Sequence, residues 1–144
     1  MERPIKLLIV DDERQIRESY GDFFAKRGFD VALASDGEQG LNMLREGEFD
    51  VAILDIRMPE MDGLALAEAV SNEGIDTSLV ILTGYGEQQD AIKAFNKGII
   101  QGWFEKARID TDELLQQVQK LAQVVSLDDV RRILSAIPVE ERPT

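Results

Sequence analysis

Leu7-Leu8-Ile9-Val10-Asp11-Asp12-Glu13 holds the key to the chain: four apolar residues in unbroken succession, then three carboxylates. A strand wetted on one side alternates apolar and polar residues, whereas a strand covered on both sides reads as a continuous apolar run. Near-continuous runs recur at 31–34, 51–54 and 79–82. Helical spacing fills the gaps between them. Ile16, Tyr20, Phe23 and Phe24 fall at i, i+4, i+7 and i+8, with Glu13, Arg17, Asp22 and Lys26 toward water, and Arg27-Gly28 supplies a C-terminal stop.

The alternation continues down the chain. A second helix is predicted over 37–46 through Leu41 and Leu44, ended by Gly47, and a third over about 64–72, ended near Gly74. A fourth covers roughly 88–96, with Ile92 and Phe95 inward, before Lys97-Gly98. The fifth strand, 99–104, is interrupted at Gln101-Gly102 and has the look of an edge. The fifth helix starts near Asp110, with Glu113 three residues on as a capping pair and Leu114, Val118, Leu121 and Val125 on one stripe. Strands alternating with helices in this way predict an α/β domain over 1–125: a five-stranded parallel sheet with helices on both faces. Residues 126–144 form a C-terminal amphipathic helix and tail, with Leu127, Val130, Leu134 and Ile137 on one stripe before Pro138. That stripe suits packing on the domain, pairing in a homodimer, or leading toward an output domain equally well.

Composition narrows the chemistry. The 144 residues carry 16 basic and 28 acidic side chains, a formal charge of −12, with no Cys and no His. Thiol nucleophiles, disulfides, thiolate or imidazole metal sites, a histidine general base and a phosphohistidine on this chain are thereby excluded. The negative excess opposes nucleic-acid binding by this chain alone, because that affinity comes largely from Lys and Arg neutralising phosphates. The apolar stretch 5–10 is too short for a signal core or a membrane span. A soluble, cytoplasmic protein with no membrane partner is expected.

In parallel α/β sheets the working site lies at the carboxyl ends of the strands, where strand order reverses. The first run ends in Asp11-Asp12-Glu13, the third in Asp55, the fourth in Thr83-Gly84, and the broken fifth in Glu105-Lys106. Converging carboxylates raise one another's pKa unless a cation joins them, and Mg²⁺ is the hard, oxygen-seeking choice. With Asp55 as nucleophile and Lys106 opposite, the set suits in-line phosphoryl transfer. Each element also has a plainer reading. Asp11, Asp12 and Glu13 serve equally well as first-turn acids of a helix, Asp55 as the start of a loop, Thr83 as a strand residue and Lys106 as a solvated cation. Their shared placement at four of five strand ends is what singles them out.

Val10-Asp11-Asp12-Glu13, the nine residues from Asp55-Ile56-Arg57-Met58-Pro59 through Glu60-Met61-Asp62-Gly63, Leu82-Thr83-Gly84, and Phe104-Glu105-Lys106 resemble a response-regulator receiver domain of two-component signalling. The resemblance runs from residue 5 to about 125 and is most specific over 55–63. It implies the chemotaxis-regulator-like, flavodoxin-like (βα)5 fold with strand order 2-1-3-4-5. It implies Asp55 as phosphoacceptor and Asp11 and Asp12 as the pair positioning Mg²⁺, with Asp55 and the Arg57 carbonyl completing the protein ligands. Thr83 would hydrogen-bond the phosphoryl group, Lys106 would pair with one of its oxygens, and Trp103 would stand where an inward-turning aromatic remodels the surface. The implied partners are a sensor histidine kinase or phosphotransfer protein and a downstream protein target. At most the domain catalyses its own phosphorylation and dephosphorylation, either as a stand-alone receiver or as part of a longer regulator.

Two departures stand out near Lys106. Ala107 follows Lys106 where the family has Pro, and a cis bond before a non-proline costs about 2.5 to 4 kcal/mol, so a trans or strained loop is expected. The stretch 98–106 is one residue longer than usual, which predicts a bulge at Gln101-Gly102. Arg57 and Tyr85 occupy positions that in the family tune phosphoryl lifetime by admitting or blocking water. Three other readings compete. A degenerate receiver acting as a phosphorylation-independent scaffold is opposed by the complete acidic set. An Asp-nucleophile phosphohydrolase of haloacid-dehalogenase type needs an Asp at position 57, which is Arg, and a flavin site needs a hydroxyl-rich loop where Asp11-Asp12-Glu13 stands.

Overall fold

A computed structural model describes residues 3–123 and 134–136. Five strands and five helices alternate: β1 (Lys6–Val10), α1 (Arg14–Ala25), β2 (Asp30–Ala34), α2 (Gly37–Glu46), β3 (Val51–Asp55), α3 (Gly63–Asn72), β4 (Ser78–Thr83), α4 (Gln88–Asn96), β5 (Gly102–Glu105) and α5 (Thr111–Ala122). All strand pairs are parallel, in the order β2-β1-β3-β4-β5. The expected flavodoxin-like (βα)5 sheet is thus observed, with its reversal of strand order at β1.

The near-continuous apolar runs are explained by two cores, one on each face. Leu8, Val10, Ala52, Leu54, Leu79 and Ile81 pack beneath α2, α3 and α4. Leu7, Ile9, Val51, Ile53, Val80 and Leu82 alternate with them and pack beneath α1 and α5. At about 25 cal/mol per Å² of buried apolar surface, burial on both sides makes these central strands the chief source of stability. Caps set the helix starts: Asp36, Asp62 and Asp110 each accept a backbone N–H from the first turn of α2, α3 and α5.

Four expectations need correction. Phe95 is 47% exposed, because α4 turns Ala91 and Ala94 to the sheet and leaves Ile92 half-buried. Those small residues form a stripe about 100° from the larger apolar pair. Arg17 does not face water: it is half-buried, and its Nη1 donates to the Asp11 carbonyl at 2.8 Å. The fifth strand is shorter than 99–104, starting only at Gly102. The bulge predicted at Gln101-Gly102 is replaced by a side chain that imitates a strand. Gln101 N donates to the Leu79 carbonyl at 2.8 Å, and Gln101 Oε1 accepts from Leu79 N at 2.7 Å.

The boundary expected between 125 and 126, the stripe residues Val125, Leu127, Val130 and Ile137, and most of the helix begun at Ser126 lie outside the described residues. Within that stretch 134–136 is helical and exposed. No helix among the described residues is long and apolar enough to cross a membrane.

Candidate functional site

The reversal of strand order opens a crevice at the carboxyl ends of β1 and β3. Asp11 directly follows β1, where its N–H still donates to the Ala34 carbonyl at 3.2 Å, and Asp55 is the last residue of β3. Asp11 is 2% and Asp55 3% exposed, whereas Asp12 is exposed. One carboxylate oxygen from each of Asp11, Asp12 and Asp55 lies within 4.8 Å of the others. A side chain at residue 63 would collide with the Asp55 carbonyl, so Gly63 lets α3 begin against the end of β3.

Lys106 opens a single 3-10 turn, Lys106–Arg108, after β5. Its Nζ stands 3.1 Å from Asp55 Oδ1 and 3.3 Å from Asp11 Oδ2. No peptide is cis among the described residues, so the Lys106–Ala107 bond is trans. The lysine expected to reach the cluster does so.

Charge in this crevice is under-compensated. Burial, reinforced by the neighbouring Asp11 carboxylate, pushes Asp55 up to about 6, although Lys106 and the Arg57 N–H act to lower it. Burial works against the ammonium of Lys106, yet Asp55 and Asp11 outweigh it and hold its pKa above the ordinary lysine value. Three hard oxygen donors with one shared ammonium are a donor set that fits a divalent cation such as Mg²⁺.

Around this cluster the remaining candidates take separate places. Thr83 ends β4 fully buried, and its Oγ1 donates to the Phe104 carbonyl at 3.3 Å. Trp103 is half-buried against the core beneath α2, α3 and α4. The Arg57 N–H donates to Asp55 Oδ1 at 3.3 Å, while its guanidinium turns outward to Glu87, Nε to Oε2 at 3.1 Å. Tyr85 stands in water, 98% exposed. A cleft of about 520 Å³ opens over Asp55, bordered by Asp12, Arg57, Gly84, Glu87 and Lys106.

Two residues of this neighbourhood escaped the sequence. Arg17 braces the Asp11 backbone, and Glu87 Oε1 accepts the Gly84 N–H at 3.0 Å. Both act on main-chain groups, and no side-chain pattern announces such partners. For Glu87 the one available signal was an acid three residues beyond Gly84, at the start of a helix.

Sheet order and site position make this a doubly wound α/β domain with a carboxylate-rich crevice at its switch point. The response regulator receiver domain profile matches residues 7–119, and the chain belongs to that family. It is 36% identical over 119 residues to the transcriptional activator protein PfeR of Pseudomonas aeruginosa, covering 79% of this chain and 39% of that protein. It is 32% identical over 133 residues to the regulatory protein AtoC of Escherichia coli, covering 92% of this chain and 28% of that one. The chain therefore spans well under half the length of either relative. Among solved structures, a receiver domain protein from Clostridium thermocellum superposes with a TM-score of 0.77 at 26% identity, covering 82% of this chain and 94% of that one. The response regulator TrrA of Thermotoga maritima, solved in complex with Mg²⁺-BeF, superposes with a TM-score of 0.72 at 30% identity, covering 81% and 98%.

Proposed function

We propose that Asp55 accepts a phosphoryl group from a phosphohistidine on a sensor kinase or phosphotransfer protein, and that the acyl phosphate resets a surface read by a downstream protein. The observation that carries this reading is the Lys106 ammonium 3.1 Å from the Asp55 carboxylate, beside the cluster that Asp55 forms with Asp11 and Asp12.

An Asp55 oxygen attacks phosphorus, a P–O bond forms as the donor's P–N bond breaks, and the leaving imidazole recovers its proton from solvent. Lys106 faces the charge that grows on the phosphoryl oxygens, and the Arg57 N–H keeps the Asp55 carboxylate oriented. Asp11, Asp12 and Asp55, with the Arg57 carbonyl as the family implies, would hold Mg²⁺, which supplies positive charge to the transferring group. Thr83 Oγ1 gives up the Phe104 carbonyl to donate to the phosphoryl group, releasing a tie to β5 beside Trp103. Through that release the reaction would bias two arrangements of the surface near Trp103.

The domain on this reading is 1–125, working in the cytoplasm as a signalling phosphoacceptor and not as an enzyme with turnover. Intact mass after incubation with Mg²⁺ and acetyl phosphate tests it. One alkali-labile phosphoryl group is expected on the wild type and none on Asp55→Asn. An unmodified wild type, or an equally modified variant, overturns the reading in favour of a phosphorylation-independent scaffold.

A further inference from the structure

We infer that Glu87 is a built-in competitor of the phosphoryl group: its carboxylate holds the Gly84 N–H and the Arg57 guanidinium at the mouth of the Asp55 cleft, and phosphorylation must displace it. The inference rests on the proposed phosphorylation of Asp55 and concerns what opposes it.

Glu87 is the residue preceding α4, yet its side chain makes no capping bond to that helix's own first turn. Both oxygens are committed backward instead. Oε1 accepts the Gly84 N–H at 3.0 Å, and Oε2 meets Arg57 Nε at 3.1 Å. The Glu87 side chain is only 12% exposed, although it sits at the start of a surface helix. Gly84 permits this approach, since a Cβ there would lie 2.5 Å from Glu87 Oε1. Asp55, Arg57, Gly84, Glu87 and Lys106 all line the same cleft.

A phosphoryl group on Asp55 adds about 1.5 to 2 negative charges and strong acceptor oxygens to that space. It repels the Glu87 carboxylate and attracts the two donors that Glu87 holds. Gly84 follows Thr83 directly, so releasing its N–H frees the link between β4 and α4. Glu87 is therefore a positioning residue: it favours the unmodified arrangement and makes entry of a phosphoryl group less favourable. The contribution of charge-assisted bonds of this kind corresponds to roughly a tenfold effect on affinity.

The test uses beryllofluoride with Mg²⁺ as a phosphoryl mimic on the full chain, comparing wild type, Glu87→Gln, Arg57→Ala, the double variant and Asp55→Asn. Glu87→Gln keeps the shape and an acceptor for the Gly84 N–H but loses the charge. It is expected to bind the mimic about tenfold more tightly. In the Arg57→Ala background the gain is expected to shrink, because one of the contested donors is gone. A residue that only shapes the loop would not move affinity in this direction. Tight binding by wild type with Glu87→Gln unchanged or weaker overturns the inference and leaves the phosphoacceptor reading intact. Binding unaffected by Asp55→Asn overturns both, by a separate signal.

Discussion

The carboxyl ends of β1 and β3 differ in kind from those of β4 and β5. Asp11 and Asp55 are held by strands whose apolar residues are sealed on both faces, and they meet at fixed positions in a buried crevice. Thr83, Gly84 and Glu87 belong to an outer half where the Thr83 and Glu87 side chains each hold a main-chain group by one exchangeable hydrogen bond, and Lys106 reaches from that half to Asp55 and Asp11. β5 is an edge strand of four residues, and Trp103 on it is only half-buried. A site needs both properties. The inner half fixes where charge accumulates, and the outer half supplies contacts that can be traded when charge arrives.

The largest test of this division is to empty the inner half of its charge. Asp55→Asn is expected to abolish phosphoryl acceptance completely, and Asp12→Asn to lower Mg²⁺ affinity at least tenfold, followed by Trp103 fluorescence during a Mg²⁺ titration. If Asp12→Asn left affinity unchanged, the acidic cluster would be first-turn decoration after all. Removing the cation that bridges the two halves comes next. Lys106→Met leaves Asp11 and Asp55 facing each other, and about 2 kcal/mol of stability is expected to be lost at neutral pH without Mg²⁺, measured by urea unfolding. The expectation is below that for a fully buried pair because Lys106 is 23% exposed.

The same contrast explains what could be read in advance. The inner strands announce themselves because burial on both faces imposes continuous apolar runs, and the acids that end them break the pattern abruptly. Asp11 and Asp55 were legible from that break, and Thr83 and Lys106 only from sharing a place with them at the strand ends, before any family likeness. The outer half was less legible. Ala91 and Ala94 face the sheet in α4, but alanine carries little hydrophobic signal, so Ile92 and Phe95 drew the inward assignment and Phe95 is in fact exposed. Arg17 and Gln101 take main-chain partners that only folding delivers, at sequence distances no periodicity describes, and the three-residue spacing of Glu87 from Gly84 says nothing of its second tie to Arg57.

Charge strain in the inner half has its own pH signature. Asp55 titrates at about 6 in the folded protein, against 3.8 for an ordinary aspartate. Between those values the folded state binds more protons than the unfolded one, so this group's contribution to stability falls as pH rises. In metal-free protein a loss of about 2 kcal/mol from Asp55 is expected between pH 4 and pH 7, measured by urea unfolding against Asp55→Asn, which lacks it. Mg²⁺ that binds only the folded state is expected to restore the neutral-pH arm. Parallel pH curves for the two proteins would mean that the crevice carries no such strain.

The smallest effect sharpens the comparison from the opposite end of the sheet. Gln101 pairs with both main-chain groups of Leu79 at the amino end of β4, far along the strand from Thr83, and its Nε2 donates to the Gly98 carbonyl at 3.2 Å. Gln101→Ala strands the Leu79 N–H in a buried position, an expected cost of about 1 kcal/mol with faster amide exchange at Leu79. Mg²⁺ affinity is expected to stay within twofold of wild type, because Asp11, Asp12 and Asp55 hang from β1 and β3 and not from β5. A fall in affinity matching the loss of stability would show that the edge strand helps hold the acidic crevice, and that the two halves are mechanically one.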